Sequence, residues 1–374
     1  MRICLVTNEV FGLGRFGGFG QLTRVLGRYL SKMGVKVFVV SWRTPKQREV
    51  ERMDGMTILS FPYAPSNKTF SYYYHMLSYL QSMRLYRMAD ADIYHSIENL
   101  MSSYVALKAM PDRKHVVWFQ DPYDEEVYRK MSLVDKEYEW NSGMRIRFYS
   151  TLPFLRAVCN RADALFTQAR SFVPMVKRLF RPKKEIFYLP NPVEIPETRI
   201  KKSCEPTVCF LGRWDPQKRV ERFFHLARKF PKVRFVAMGK SHDENVDAWL
   251  RKKYGGIPNL EMTGLVSEEE KRRLLAESWI LVNTSVHEGL PISFLEALAH
   301  RTALLSYENP DEYVSRFGYH VREDSLECLG VGLEGLLKDD LWREKAEAGY
   351  VYVRENHDAD KIIRMLVEIY KGLL

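Results

Sequence analysis

Two glutamates eight positions apart, Glu288 and Glu296, lie in the stretch Ile280-Leu281-Val282-Asn283-Thr284-Ser285-Val286-His287-Glu288-Gly289-Leu290-Pro291-Ile292-Ser293-Phe294-Leu295-Glu296. The apolar run 280–284 reads as a strand, the residues after it as a loop, and Pro291 suits the first turn of a helix. Glu296 then falls about one turn inside that helix, while Glu288 stays in the loop. The two carboxylates would flank a helix N-terminus, where free N–H groups and the aligned peptide dipoles favour an anion. A diphosphate fits on such N–H groups, leaving a carboxylate on either side for sugar hydroxyls. Upstream, Gly212-Arg213-Trp214-Asp215-Pro216-Gln217-Lys218 leaves the carboxyl end of a strand at 207–212. Arg213 and Lys218 would meet the same anion, with charge-assisted contacts worth about 1.5–3 kcal/mol each.

These residues need a scaffold that brings strand ends together, and the chain supplies one. Apolar runs at 2–8, 35–41, 56–61, 92–96, 114–119, 163–168 and 185–189 alternate with helix-period stretches. A second series, at 207–212, 233–238, 260–263, 280–284 and 302–306, does the same. Uniformly apolar strands separated by helices imply parallel sheets covered on both faces. Asn191-Pro192-Val193-Glu194-Ile195-Pro196 continues neither strand nor helix and reads as a linker. The expected fold is therefore α/β: two Rossmann-like, doubly wound domains, 1–195 and 196–355, facing across a cleft. A last helix, within 356–374, is expected to pack back on the first domain. Ligands of such sheets bind beyond the carboxyl ends of the strands.

Composition narrows the function classes. The 374 residues are 46% hydrophobic and 13% aromatic, enough for two cores. No run of 18 apolar residues exists, so no transmembrane helix is expected. Five cysteines without CxxC spacing argue for reduced thiols in a cytoplasmic protein and against a disulfide framework or zinc knuckle. Residues 1–195 carry 29 Lys/Arg against 18 Asp/Glu, and residues 196–374 carry 28 against 29. All of the positive excess sits in the first half. That is either a basic soluble surface or a field for an anionic partner: membrane, phosphorylated acceptor or nucleic acid. Zinc fingers, basic zippers and RNA-binding aromatic motifs are missing, so nucleic acid is not expected. Three clusters carry the excess: Arg24, Arg28 and Lys32; Tyr72, Tyr73, Tyr74, Tyr79, Arg84, Tyr86 and Arg87; and Lys177, Arg178, Arg181, Lys183 and Lys184.

Gly12-Leu13-Gly14-Arg15-Phe16-Gly17 spells the dinucleotide fingerprint, but the second strand ends without the acidic residue that would hold a ribose. No nicotinamide or flavin cofactor is expected. What remains is a glycine-rich loop, Gly17-Gly18-Phe19-Gly20, with two readings: a phosphate approach at a helix N-terminus or a tight turn needing positive φ.

Taken in order, these segments resemble the family 4 glycosyltransferases of the GT-B fold over essentially the whole chain. The carrying residues are Gly17-Gly18-Phe19-Gly20-Gln21, Asn191-Pro192-Val193, Gly212-Arg213 with Lys218, and Glu288 with Glu296-Ala297-Leu298-Ala299. The resemblance implies a retaining, metal-independent transfer of sugar from a nucleotide-diphosphate donor. It implies that Arg213 and Lys218 hold the diphosphate, that Glu296 binds the ribose and that Glu288 faces the sugar. Backbone around Gly289, Leu290, Ile292 and Ser293 would complete the donor site, Val266 would lie near the base, and Gly17 and Gly18 would approach from the first domain. Epimerases acting on nucleotide-linked sugars share this architecture and are the rival reading.

The chain departs from the family pattern at two places. Where members place a histidine after the strand 114–119, this chain reads Gln120-Asp121-Pro122. Gln120 or Asp121 stands in; Asp121 either accepts a bond from a sugar hydroxyl or merely forms an Asp-Pro turn. Where members have a glycine after Glu296, this chain has His300-Arg301. His287 and His95 are further candidates beside the sugar, each with an ordinary structural reading as the alternative.

Overall fold

The Val-, Ile- and Leu-rich runs form strands because β-branched and aromatic side chains pack well on a pleated surface buried on both faces. In a computed structural model of the chain, all residues are described except 15–16, 63–70 and 198–199 and the side chains of 71–77. The side chains of Tyr72, Tyr73 and Tyr74, and Arg15 and Phe16 of the glycine motif, thus lie outside the described residues. The chain divides into two compact units.

The first unit comprises Met1–Asp124, Asn141–Pro192 and Ala359–Leu374. Its strands are β1 (Arg2–Val6), β2 (Lys36–Arg43), β3 (Val50–Met53), β4 (Met56–Pro62), β5 (Ile93–Ile97), β6 (Lys114–Phe119), β7 (Ala164–Thr167) and β8 (Ile186–Tyr188). They form one sheet in the order β3-β4-β2-β1-β5-β6-β7-β8, parallel except for the β3–β4 hairpin. The C-terminal helix Ala359–Leu373 belongs to this unit. Its Tyr370 hydroxyl meets buried His95 Nδ1 at 2.5 Å. Burial pushes the His95 ring down to about 3, so it is a neutral interior group and takes its structural reading.

The second unit comprises Val193–Asp358 together with Glu125–Trp140. The two-block division expected from the sequence is therefore interrupted, because a stretch following β6 belongs to the second unit. Lys130 marks it, pairing with Glu308 at 2.5 Å. Strands β9 (Thr207–Leu211), β10 (Arg234–Met238), β11 (Leu260–Gly264), β12 (Ile280–Asn283), β13 (Ala303–Ser306) and β14 (Gly318–His320) run wholly parallel in the order β11-β10-β9-β12-β13-β14. Two apolar cores cover this sheet, one around Phe223, Phe235 and Trp342, the other around Phe294, Leu298 and Tyr313. Among the described residues no helix is long and apolar enough to cross a membrane.

Candidate functional site

In the second unit the residues with chemistry gather at the carboxyl edge of the sheet, where β9 and β12 lie side by side. The chain leaves β9 through Gly212 and Arg213 and turns at Asp215, whose carboxylate caps the Lys218 N–H at 3.2 Å. Arg213 pairs with Asp215 at 3.2 Å and stays two-fifths exposed. Lys218 reaches across to the loop after β12 and meets Glu288 Oε1 at 2.6 Å. Asn283 Nδ2 and Ser285 Oγ donate to the same oxygen at 2.9 and 2.5 Å. Burial opposes a charge on this carboxylate, but the Lys218 ammonium and these bonds outweigh it and hold Glu288 below the usual range.

Glu296 occupies the fifth position of the helix Ile292–Ala299, which begins directly after Pro291. Its carboxylate meets Lys271 Nζ at 2.7 Å, and Lys271 also pairs with Glu268 at 2.9 Å. Burial disfavours the Lys271 ammonium, yet Glu296 and Glu268 together raise its pKa and keep it charged. Each sequence-predicted glutamate is thus already matched with a lysine. Gly289 and Leu290 are buried within the loop, Ile292 and Ser293 are half-buried at the helix start, and Val266 is half-buried after β11. His287 is buried, and its carbonyl accepts from Gln217 Nε2 at 3.0 Å.

Arg219 was not singled out by the sequence, since Lys218-Arg219 gives no sign of which cation does what. Here Arg219 takes φ 47° and clamps the Glu288 loop, donating to the Thr284 carbonyl at 2.7 Å and pairing with Asp324 at 2.7 Å. Asn283 and Ser285 were missed for the same reason: neutral side chains on one carboxylate oxygen carry no spacing signature. At the His300-Arg301 departure, Arg301 has φ 54°, the left-handed conformation that glycine adopts without strain, and pairs with Glu347 at 2.9 Å.

In the first unit, Gly12 and Gly14 have φ of 92° and 67° and shape a turn, so the dinucleotide-like spelling is turn geometry. Gly17, Gly18 and Gly20 lack positive φ and open the helix Gly18–Lys32; open space surrounds Gly18 where a Cβ would stand. The Gly20 N–H donates to Glu9 at 3.3 Å, so a carboxylate already attends this helix start. Gln120 is buried, and its side-chain oxygen accepts from Asn191 at 2.9 Å. Asp121 is half-buried. Both of their N–H groups donate to Glu98, at 2.8 and 2.7 Å, and Asn99 N–H does so at 2.8 Å. Glu98 itself has φ 75° and is 4% exposed. Burial lifts its carboxyl to about 7 against these three bonds, and the neighbouring Asp121 adds repulsion. Glu98 therefore sets the Gln120-Asp121 loop, a role the sequence did not reveal. Among the described residues no group of three metal-ligating side chains comes together.

Two family models match: glycosyltransferase family 4 over residues 16–196 and glycosyl transferases group 1 over 194–349. No curated protein matches the chain. Solved structures agree in fold. The sucrose-phosphate synthase of Thermosynechococcus elongatus is 16% identical with a TM-score of 0.78, covering 100% of this chain and 98% of that one. HepE of Anabaena, solved with UDP-glucose, is 12% identical with a TM-score of 0.70, covering 100% of both chains. WaaG, a glycosyltransferase involved in lipopolysaccharide biosynthesis, is 16% identical with a TM-score of 0.70, covering 98% of this chain and 99% of that one. With two Rossmann-like parallel sheets and family matches that together span residues 16–349, the chain belongs to the family 4 glycosyltransferases of GT-B fold.

Proposed function

We propose that this chain moves a hexose from a nucleotide-diphosphate sugar, with retention of configuration, to a hydroxyl of a lipid-linked or anionic acceptor. In this reading the enzyme works in the cytoplasm at an anionic membrane face, without metal or organic cofactor and without nucleic acid. The observation that carries it is the Lys218–Glu288 pair beside the start of the helix Ile292–Ala299, with Arg213 at the same sheet edge. The first-turn N–H groups, Arg213 and Lys218 suit a diphosphate; Glu296 suits ribose hydroxyls and Glu288 the sugar. Asp121, Gly17 and Gly18 would serve the sugar and phosphate from the first unit. HepE is described with UDP-glucose, which supports a nucleotide-sugar donor here.

In the proposed step the bond from the anomeric carbon to the β-phosphate oxygen breaks while the acceptor oxygen bonds to the same face of that carbon. The acceptor proton passes to the departing diphosphate, whose charge Arg213 and Lys218 offset. Glu288 holds sugar hydroxyls and forms no adduct. Screening the protein for thermal stabilisation by UDP, GDP and ADP identifies the donor base, since a ligand at a hundred times its Kd adds about 2.7 kcal/mol. Product of inverted configuration, or sugar isomerised in the absence of any acceptor, would overturn the assignment.

A further inference from the structure

The helix Ser142–Arg161 in the first unit buries one face only. Leu152, Val158 and Cys159 enter the core beside Phe148 and Leu155. The opposite arc should be polar, yet Ile146 is 71% exposed, Tyr149 48% and Phe154 37%. Ile146, Tyr149 and Pro153 follow the i, i+3, i+7 spacing of a continuous stripe. Arg145 and Arg147, both exposed, flank it, and residues 141–162 contain no Asp or Glu.

The neighbouring helix Val173–Phe180 continues the pattern. Arg156 Nε donates to the Leu179 carbonyl at 2.9 Å, and Asn160 accepts from the Lys183 N–H at 3.1 Å, so the two helices are fastened together. Lys177, Arg178, Arg181, Lys183 and Lys184 are all exposed. From 141 to 184 the chain holds ten Lys/Arg and one carboxylate, Asp163, which pairs with Lys114 at 3.2 Å. An apolar stripe bordered by cations and free of carboxylates has the character of an interfacial helix.

We infer that the exposed face of the helix Ser142–Arg161 docks on an anionic lipid surface, with Ile146, Tyr149 and Phe154 entering the headgroup boundary and Arg145 and Arg147 meeting lipid phosphates. This deepens the proposal of a membrane-bound acceptor but needs neither donor nor acceptor to be tested. The full chain is floated with phosphatidylcholine vesicles, with and without phosphatidylglycerol. Binding is expected only with the anionic lipid. Arg145→Gln with Arg147→Gln lowers partitioning roughly thirtyfold, since near-surface charges contribute about 1 kcal/mol each. Ile146→Glu with Tyr149→Glu abolishes binding while far-ultraviolet circular dichroism and the melting curve stay those of the parent, which separates loss of docking from loss of folding. Equal flotation with neutral vesicles, or unchanged binding by both double variants, overturns the inference. A change in sedimentation by Ile146→Glu/Tyr149→Glu without a change in vesicle binding would assign the face to a second copy instead.

Discussion

Replacing Lys218 by methionine removes the counter-charge of a buried carboxylate. Glu288 has a side chain only 7% exposed, and one of its oxygens receives Lys218, Asn283 and Ser285 together. After the change two neutral donors remain on a charge that cannot reach water, and breaking a buried pair from one side costs about 3–5 kcal/mol. At about 2–4 °C per kcal/mol for a unit of this size, Lys218→Met lowers the Tm of the second unit by about 10 °C. Glu288→Gln is milder, about 1–2 kcal/mol, because the Lys218 side chain is 19% exposed and keeps some hydration. The double variant regains much of the loss, giving a coupling of about 2 kcal/mol. The pH dependence carries the sign. In the parent protein Glu288 is held below its unfolded value, so its contribution is present above about pH 5 and fades on acidification. In Lys218→Met burial is opposed only by the Asn283 and Ser285 bonds, the carboxyl rises, and stability is better at low pH. The gap between the two proteins therefore narrows as pH falls. Additive single variants, or a gap independent of pH, would refute this electrostatic account.

Other outcomes follow from the same geometry. Glu288→Gln should cut turnover far more than nucleotide affinity, measured by single-turnover transfer against calorimetric binding; equal losses in both would contradict its assignment to the sugar. Glu98, raised to about 7, favours the folded state most below its unfolded value near 4.5, and that contribution is lost as pH climbs through 7. Protection factors of the Gln120-Asp121 loop amides, corrected for intrinsic base-catalysed exchange, should fall over that range in the parent and lose this pH dependence in Glu98→Gln. Gly239→Ala places a Cβ 1.9 Å from the Gly212 carbonyl at φ 130°, so denaturant melts should register a loss of several kcal/mol.

Most strands were legible because parallel sheets bury both faces and leave unbroken apolar runs; β9 and β12 begin and end within a residue of their expected limits. The β3 edge was not, since Val50-Glu51-Arg52-Met53 is half polar, although the turn after it, Asp54-Gly55, carries the hairpin signal and positive φ at both residues. Glu288, Glu296, Arg213 and Lys218 were visible because they are charges fixed in register with strand ends. Glu98 was not visible, because its partners are backbone N–H groups that no side-chain pattern marks. Chain order also hid the transfer of Glu125–Trp140 to the second unit, since its connection runs through ion pairs such as Lys130–Glu308 and not through periodicity.

The charge pairing also limits how the proposed site can recognise a donor. Glu288 and Lys218 neutralise one another, as Glu296 does with Lys271, so neither carboxylate confronts an arriving diphosphate as a bare negative charge. The lysines in turn are not idle cations waiting for phosphate. Net attraction then falls more on Arg213, whose pair with Asp215 is open to water, and on the N–H groups at the start of the helix Ile292–Ala299, while Lys218 divides its charge between Glu288 and the diphosphate. Arg213→Gln should therefore weaken nucleotide diphosphate binding by about 1.5–3 kcal/mol at little cost in stability, because its partner Asp215 remains accessible to water. Lys218→Met should do the opposite, costing the fold more than the affinity. Calorimetry and melting on the two variants give that pair of orderings, and finding them reversed would mean that Lys218 serves the phosphate first and Glu288 second.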